Sequence, residues 1–222
     1  MSAALASYEL FWMSLMNQFS EEKFRHNMIN FRIDREPVSS QNKNKVKLKF
    51  RSEVHKITSQ SEFIITSTCW ISIDYYCQHI KRLKNPGVYD IDNIVKPTLD
   101  ALSGQGGLIL DDVLLDRVTV NWVDTPHEDH LEIQIEYPDL GYVRKDELVL
   151  IKSKSGWCFP TTKKIQEFPG FIDLVSEYFA TWNSISNESE YFDKLPTLPI
   201  QSFIYFGKVK DKGYNFVSLE NN

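Results

Sequence analysis

The chain has 222 residues, of which 42% are hydrophobic and 25% are charged, and its formal net charge is −5. This composition is typical of a globular chain with one large domain or a core with an appendage, and it excludes wholesale disorder, collagen and coiled coils. Cys69, Cys77 and Cys158 form no CxxC pair, which excludes a disulfide framework and a cysteine zinc ribbon and favours reduced thiols. Residues 1–19 are apolar but lack a basic start and contain Glu9, so we predict an amphipathic helix in a cytoplasmic protein without membrane contact.

The charge is unevenly distributed along the chain. The net charge is +3 over residues 1–100, −8 over residues 101–222 and +7 within residues 23–56. A solvated face explains such a basic segment, and so does contact with a polyanion, because phosphates are neutralised by local clusters of Lys and Arg. The sequence leaves both explanations open.

Hydrophobic periodicity predicts a compact α+β unit over about residues 27–138. In chain order we expect a short strand at 28–34, a helix from about 46 to 57, a long strand at 62–76, a loop at 79–88, a helix at 93–102 ended by the glycines of 103–107, and a β-hairpin formed by 117–123 and 131–137. Residues 45–51 also alternate like a strand. We prefer a helix there because the apolar spacing continues to Ile57, which leaves Lys43, Lys47 and Arg51 as a basic stripe.

We expect a boundary between two parts of the chain at Pro138-Asp139-Leu140-Gly141. Beyond it the patterns predict a strand at 147–151, a helix at 171–182 and a strand pair at 200–209 and 214–219. The predicted organisation is therefore an N-terminal helical extension (1–26), a core (27–138) and a C-terminal extension of unknown role (139–222). No motif in the last third indicates a particular chemistry.

The stretch 89–117 is rich in aspartate and contains Asp90, Asp92, Asp100, Asp111, Asp112 and Asp116. If residues 90–92 are extended, Asp90 and Asp92 point to the same side, and Asp92 caps the following helix. Carboxylates gathered in one place repel unless a cation fills the cluster, and aspartates without His or Cys partners suit Mg²⁺ or Mn²⁺. Lys96, one turn beyond Asp92, would stabilise charge on a phosphate or orient the attacking water. The pattern indicates metal-dependent phosphoryl chemistry.

Each of these carboxylates also has a purely structural interpretation. Asp92 fits an N-cap, Asp100 a solvated helix residue or a partner of Lys96, and Asp111-Asp112 turn residues before a strand. Gly106-Gly107 is a turn and not a phosphate loop, because no GK[ST] follows it. These interpretations stay open on the residues alone.

The string DIDNIVKPTLDAL at residues 90–102, followed by Asp111-Asp112, resembles the D-x-D-N-x-x-K-x-x-L-D-A-L helix and later D-D of the RusA family of Holliday-junction resolvases. The segment PVSSQ at 37–41 before the basic helix also resembles the N-terminal segment of that family. The resemblance covers roughly residues 27–137, about half of the chain.

The resemblance implies an α+β fold with a small mixed sheet and flanking helices, here followed by an α+β C-terminal extension. It also implies a Mg²⁺-dependent endonuclease, with Mn²⁺ as an alternative ion, that acts as a homodimer on four-way DNA junctions. Carried over by position, the catalytic residues are Asp90, Asp92, Lys96 and Asp112. The metal ligands come from Asp90, Asp92, Asp111 and Asp112, and of the last two we favour Asp112. The residues expected to bind DNA phosphates are Lys43, Lys47, Arg51, Lys81, Arg82 and Lys84.

We therefore predict a structure-selective endodeoxyribonuclease of DNA recombination and repair that resolves Holliday junctions or related branched DNA. The alternative is a catalytically silent module that binds branched DNA and recruits a protein partner through its C-terminal part. Residues 139–222 depart from the shorter family pattern and are acidic, so we expect them to bind a protein, to gate the DNA groove or to reinforce the dimer rather than to add DNA affinity.

Overall fold

The computed structural model describes residues 27–85, 90–164 and 168–219, so the N-terminal helix expected at 1–19 lies outside the described residues. The strands are β1 Met28–Ile33, β2 Phe63–Ile65, β3 Cys69–Cys77, β4 Leu115–Asp124, β5 His130–Glu136, β6 Tyr142–Arg144, β7 Leu148–Lys152, β8 Trp157–Thr162, β9 Ile204–Tyr205 and β10 Phe216–Ser218. The helices are α1 Asn44–Thr58, α2 His79–Lys84, α3 Ile91–Leu102, α4 Phe171–Ser184, α5 Glu188–Lys194 and α6 Phe206–Val209. The α+β class is confirmed. None of the described helices is long and apolar enough to cross a lipid bilayer.

The first sheet is mixed, with the strand order β1-β5-β3-β4. Strand β3 pairs in parallel with β4 and antiparallel with β5, which in turn pairs antiparallel with β1. The predicted hairpin of residues 117–123 and 131–137 is therefore wrong, because β3 lies between its two strands. The burial of the side chains explains this order. Every second residue of β3 is buried, which suits a central strand, whereas most residues of β4 are exposed, which suits an edge strand.

The connection between β4 and β5 crosses the end of β3 and is fixed there by hydrogen bonds. The Thr125 amide donates to the carbonyl of Cys77 at 3.1 Å. The buried Asp129 carboxylate accepts from the Gln78 amide at 3.2 Å and from the Tyr75 hydroxyl at 3.1 Å. These contacts satisfy polar groups at the end of β3 and hold β4 and β5 on opposite sides of it.

Two helices cover the buried face of this sheet. Helix α1 packs against α3, and both contribute to the hydrophobic core beneath β3 and β5. The preference for a helix over a strand at residues 46–57 is confirmed, with Phe50 and Val54 fully buried, although Val46 is 41% exposed. The helix expected at 93–102 is also confirmed and begins two residues earlier.

Two other expectations about the core were wrong. The single strand expected at 62–76 is divided into β2 and β3, because the Thr66 and Ser67 amides turn away to the carbonyl of Gly141 at 2.8 and 3.1 Å. Gly141 has no room for a side chain, since an added Cβ would lie 2.1 Å from Ser67 Oγ. The loop expected at 79–88 contains α2, and residues 86–89 lie outside the described part of the chain.

The C-terminal extension packs directly on the core. Strand β6 pairs antiparallel with β2, and Tyr142 places its ring edge-on to Phe63 at 5.3 Å. A second sheet with the order β10-β7-β8-β9 follows, and its buried residues belong to the same hydrophobic cluster as the first sheet. The strand at 147–151 and the helix at 171–182 are confirmed. The late strand pair was wrong, because β9 pairs with β8 and β10 pairs with β7.

Candidate active site

The start of α3 brings two carboxylates together. Asp90 is the residue before the helix and has an extended backbone, while Asp92 lies in the first turn. The expectation that Asp92 caps this helix was therefore wrong, because the helix begins at Ile91. Hydrogen bonding to Asp92 and repulsion by its charge raise the pKa of Asp90 above its usual value. Such a pair is stabilised by a proton or a cation.

A proline fixes the position of α3 against the segment before α1. Pro97 has no amide hydrogen to donate to the carbonyl of Asn93 one turn earlier. That carbonyl instead accepts the Ser40 amide at 2.6 Å, and the Ser40 hydroxyl donates to Asn93 Oδ1 at 2.6 Å. The Ser40 carbonyl in turn accepts Lys47 Nζ at 3.2 Å. The segment at 37–41 therefore ties the basic helix to the acidic one.

The glycine-rich loop after α3 turns the chain back toward the same helix. The amides of Leu108 and Ile109 both donate to the carbonyl of Leu102, at 2.8 and 3.1 Å. Gly107 makes this approach possible, because an added Cβ would lie 2.0 Å from the Leu102 oxygen. The chain then reaches Asp111 and Asp112 beside the exposed face of α3.

Lys96 links the helix to the second acidic pair. Its Nζ lies 2.5 Å from Asp112 Oδ2 and 2.7 Å from Asp100 Oδ1. Partial burial lowers the pKa of Lys96, but the two carboxylates outweigh burial and hold it above its usual value. Burial likewise raises the pKa of Asp112, but Lys96, with smaller effects of Asp111 and Lys212, outweighs burial and the pKa lies below its usual value. A protonated lysine and an ionised carboxylate therefore face each other here.

Asp111 and Asp112 occupy different environments. The Asp111 side chain is 3% exposed, accepts the Val113 amide on Oδ1 at 3.0 Å and meets Lys212 Nζ on Oδ2 at 2.5 Å. Both of its oxygens are therefore used within the protein. Asp112 begins a short 3₁₀ turn that ends at Leu114, and its side chain is 25% exposed. This difference favours Asp112 over Asp111 as a ligand.

Lys212 is the residue of this site that the sequence did not reveal. It lies in the C-terminal extension, 101 positions after the aspartate that it contacts. No local spacing could indicate the pair, because only the packing of the extension on the core brings the two residues together. The sequence signal is limited to a lysine beside Gly213, whose φ of +83° requires glycine.

The carboxylates fit a divalent ion by their chemistry but do not all converge. They offer only oxygen donors, and Asp90 and Asp92 already interact. Within residues 27–85, 90–164 and 168–219, no group of three or more His, Cys, Asp and Glu side chains is close enough to hold a metal ion. Holding one ion with Asp90, Asp92 and Asp112 therefore requires a local movement, for which the exposed start of α3 is suited.

A groove of about 580 Å³ runs between the basic helix α1 and the acidic helix α3 and reaches Pro97 and Asp100. Its walls come from α1, α3 and the C-terminal extension, and its lining includes Lys47, Arg51, Asp100 and Lys212. Arg51 Nη2 also donates to the carbonyl of Ser103 at 3.2 Å. Of the basic residues expected on this stripe, Lys47 and Arg51 face the groove, whereas Lys43 is exposed just before α1.

The second basic group lies on α2 and is engaged elsewhere. Lys81 pairs with the buried Asp129 at 3.1 Å, and Arg82 pairs with Asp124 at 3.3 Å. Lys84 is exposed in the last turn of the same helix. Two of these three charges therefore hold the β4–β5 connection in place and do not contribute to the groove.

Comparison with known families agrees with this geometry. Residues 19–136 match the family model described as endodeoxyribonuclease RusA, which covers slightly more than half of the chain and includes α1, α3 and the aspartates of both pairs. No curated protein matches the chain. The resemblance inferred from residues 90–112 is thereby confirmed, and the chain belongs to the RusA family of endodeoxyribonucleases.

Proposed function

We propose that this protein is a divalent-metal-dependent endonuclease that cuts branched DNA, four-way junctions foremost, by hydrolysing phosphodiester bonds. The observation that carries the proposal is the 2.5 Å contact between Asp112 and Lys96, which lies on the same helix as Asp92. Membership of an endodeoxyribonuclease family supports the same conclusion. A purely structural ion pair would not require the additional acidic pair at the start of the helix.

We assign the metal ligands to Asp90, Asp92 and Asp112, with Mg²⁺ as the preferred ion and Mn²⁺ as an alternative. When bound, such an ion makes a water molecule more acidic and offsets negative charge on the phosphate. Lys96 holds its proton in this environment, so it donates hydrogen bonds to the phosphate oxygen that gains charge during the reaction. Asp111 serves the turn instead, because its two oxygens are already used.

The groove supplies the contacts that position the DNA strand. Lys47 and Arg51 present positive charge along one wall, and contacts of this kind fix the register of a strand without reading its sequence. A homodimer completes the proposal, because two nicks related by the two-fold axis of a four-way junction need two sites related by such an axis.

The test is cleavage of an end-labelled four-way junction with Mg²⁺, beside a linear duplex of the same sequence and the variant Asp92→Asn. We expect paired symmetric nicks in the junction, none in the duplex and none with the variant. Tight junction binding without cleavage in either Mg²⁺ or Mn²⁺ would contradict the nuclease proposal and favour a silent DNA-binding module.

A further inference from the structure

One segment of the C-terminal extension, residues 212–215, is fastened to the loop that carries the second acidic pair. Two hydrogen bonds to backbone carbonyls hold it there: Tyr214 Oη donates to Leu110 at 2.9 Å, and Gln105 Nε2 donates to Gly213. A third hydrogen bond runs from the Leu150 amide to the carbonyl of Asn215 at 2.9 Å. The last of these bonds ties the segment to β7 of the second sheet. The extension therefore fixes the loop from outside the matched family region.

At the centre of this attachment lies the pair of Asp111 and Lys212. Asp111 is almost completely buried, so an isolated negative charge there would carry a large desolvation cost. Lys212 compensates that charge at 2.5 Å and is itself 24% exposed. Because the other carboxylate oxygen accepts the Val113 amide, Asp111 also sets the turn that begins at Asp112.

We propose that Lys212 is a positioning residue of the active site, which acts through Asp111 to hold Asp112 in its place opposite Lys96. This inference rests on the proposed function and assigns to the C-terminal extension a share in the site. Without the ammonium group, the buried Asp111 carboxylate loses its cationic partner, and the structure relieves this by moving the turn. That movement alters the orientation of Asp112 while the rest of the core persists.

The experiment must distinguish this positioning role of Lys212 from a direct role in DNA binding. Lys212 also lines the groove with Lys47 and Arg51, so it could instead bind a DNA phosphate directly. A phosphate contact contributes to DNA affinity, whereas a positioning residue affects the chemical step. Affinity and single-turnover rate therefore distinguish the two roles.

The experiment uses the full chain with Lys212→Met, Lys212→Arg and the double variant Asp111→Asn/Lys212→Met. The matched control is Lys210→Met, which removes an exposed lysine two positions away. For each protein we measure the melting temperature, the dissociation constant for a four-way junction in Ca²⁺ and the single-turnover cleavage rate in Mg²⁺.

We expect Lys212→Met to lower the cleavage rate by about tenfold or more with nearly unchanged junction affinity, and to lower the melting temperature by roughly 5 °C. Lys212→Arg should restore the rate to within about threefold, because Arg keeps the charge. In the double variant the neutral side chain that replaces the Asp111 carboxylate keeps a carbonyl oxygen to accept the Val113 amide. Both melting temperature and rate should therefore exceed those of Lys212→Met. Lys210→Met should behave like the wild type.

Three results would overturn the assignment. They are a Lys212→Met protein that cuts at the wild-type rate, one that loses only affinity, or a double variant no more stable than Lys212→Met. The melting data test the pair without any cleavage. If the wild type cuts no branched DNA, the proposed function is refuted. If the double variant then still melts at a higher temperature than Lys212→Met, the coupling of Lys212 to Asp111 stands.

Discussion

Lys96 and Asp112 meet at 2.5 Å although they belong to different structural elements, one to α3 and the other to the short turn after the glycine-rich loop. The contact depends on the return of the chain at Gly107, which lets residues 108 and 109 bind the last carbonyl of the helix. Lys96 is thereby held at the site by Asp112 as well as by its neighbour Asp100.

We expect Lys96→Met to reduce the single-turnover cleavage of a four-way junction by about 10²- to 10³-fold, because a donor aimed at the developing phosphate charge is lost. The free energy of unfolding should change by less than ~1 kcal/mol, since Lys96 is 60% exposed and its ion pairs are in contact with solvent. Lys45→Met on the exposed face of α1 is the control. Cleavage by Lys96→Met at the control rate would remove this lysine from the site.

Asp92→Asn should lower the pKa of Asp90, because the hydrogen bond and the charge of Asp92 are what raise it. Carboxyl carbon NMR across a pH titration measures this directly. The melting temperature without metal should stay within about 2 °C of the wild type, since repulsion is relieved while a favourable charge at the start of α3 is lost. A clear loss of stability would identify Asp92 as a structural residue.

The double variant Lys47→Gln/Arg51→Gln should weaken junction binding and make its salt dependence shallower. Two lost phosphate contacts correspond to a change of roughly 2 in the slope of log K against log salt. Lys45→Gln/Lys49→Gln removes the same charge from exposed positions of the same helix that do not line the groove. Equal slopes for both double variants would indicate that the groove does not bind the strand.

Removal of residues 139–222 should prevent cooperative unfolding of what remains. The extension supplies the partner strand of β2 and the Tyr142 ring against Phe63, and its apolar side chains belong to the common core. Exposing this surface costs about 25 cal/mol for each Å² of apolar area. Circular dichroism melts of residues 1–138 test this, and a sharp transition would show that the core folds alone.

Lys145 should make the stability of the protein depend on pH in the alkaline range. Burial lowers the pKa of Lys145 to about 8, and its Nζ donates to the Thr58 carbonyl at 2.9 Å at the end of α1. The pKa of Lys145 is lower in the folded state than in the unfolded chain. Below pH 8 the folded state therefore carries the full free-energy cost of burying the charged ammonium group. Stability relative to Lys145→Met should therefore rise between about pH 8 and pH 10.5. Urea unfolding at each pH gives the free energy of unfolding of both proteins. A difference between them that stays constant over this range would contradict the lowered pKa.

The sequence by itself determined the helices α1, α3 and α4, the family and the acidic motif, because each depends on residues that are close along the chain. The apolar spacing of Phe50 and Val54 and the spacing from Asp90 to Lys96 are examples of such local signals. Alternation alone cannot identify the partner of a strand, so β4 and β5 were expected to pair, and only burial of β3 placed it between them.

The tertiary structure alone decided how the two aspartates of the second acidic pair differ and what the extension contributes to the site. Asp111 and Asp112 are neighbours in the sequence, but one is buried against Lys212 and the other faces Lys96. The physical reason is that burial and ion pairing depend on which surfaces pack together. Packing here joins residues 101 positions apart, a separation at which the sequence pattern carries no signal.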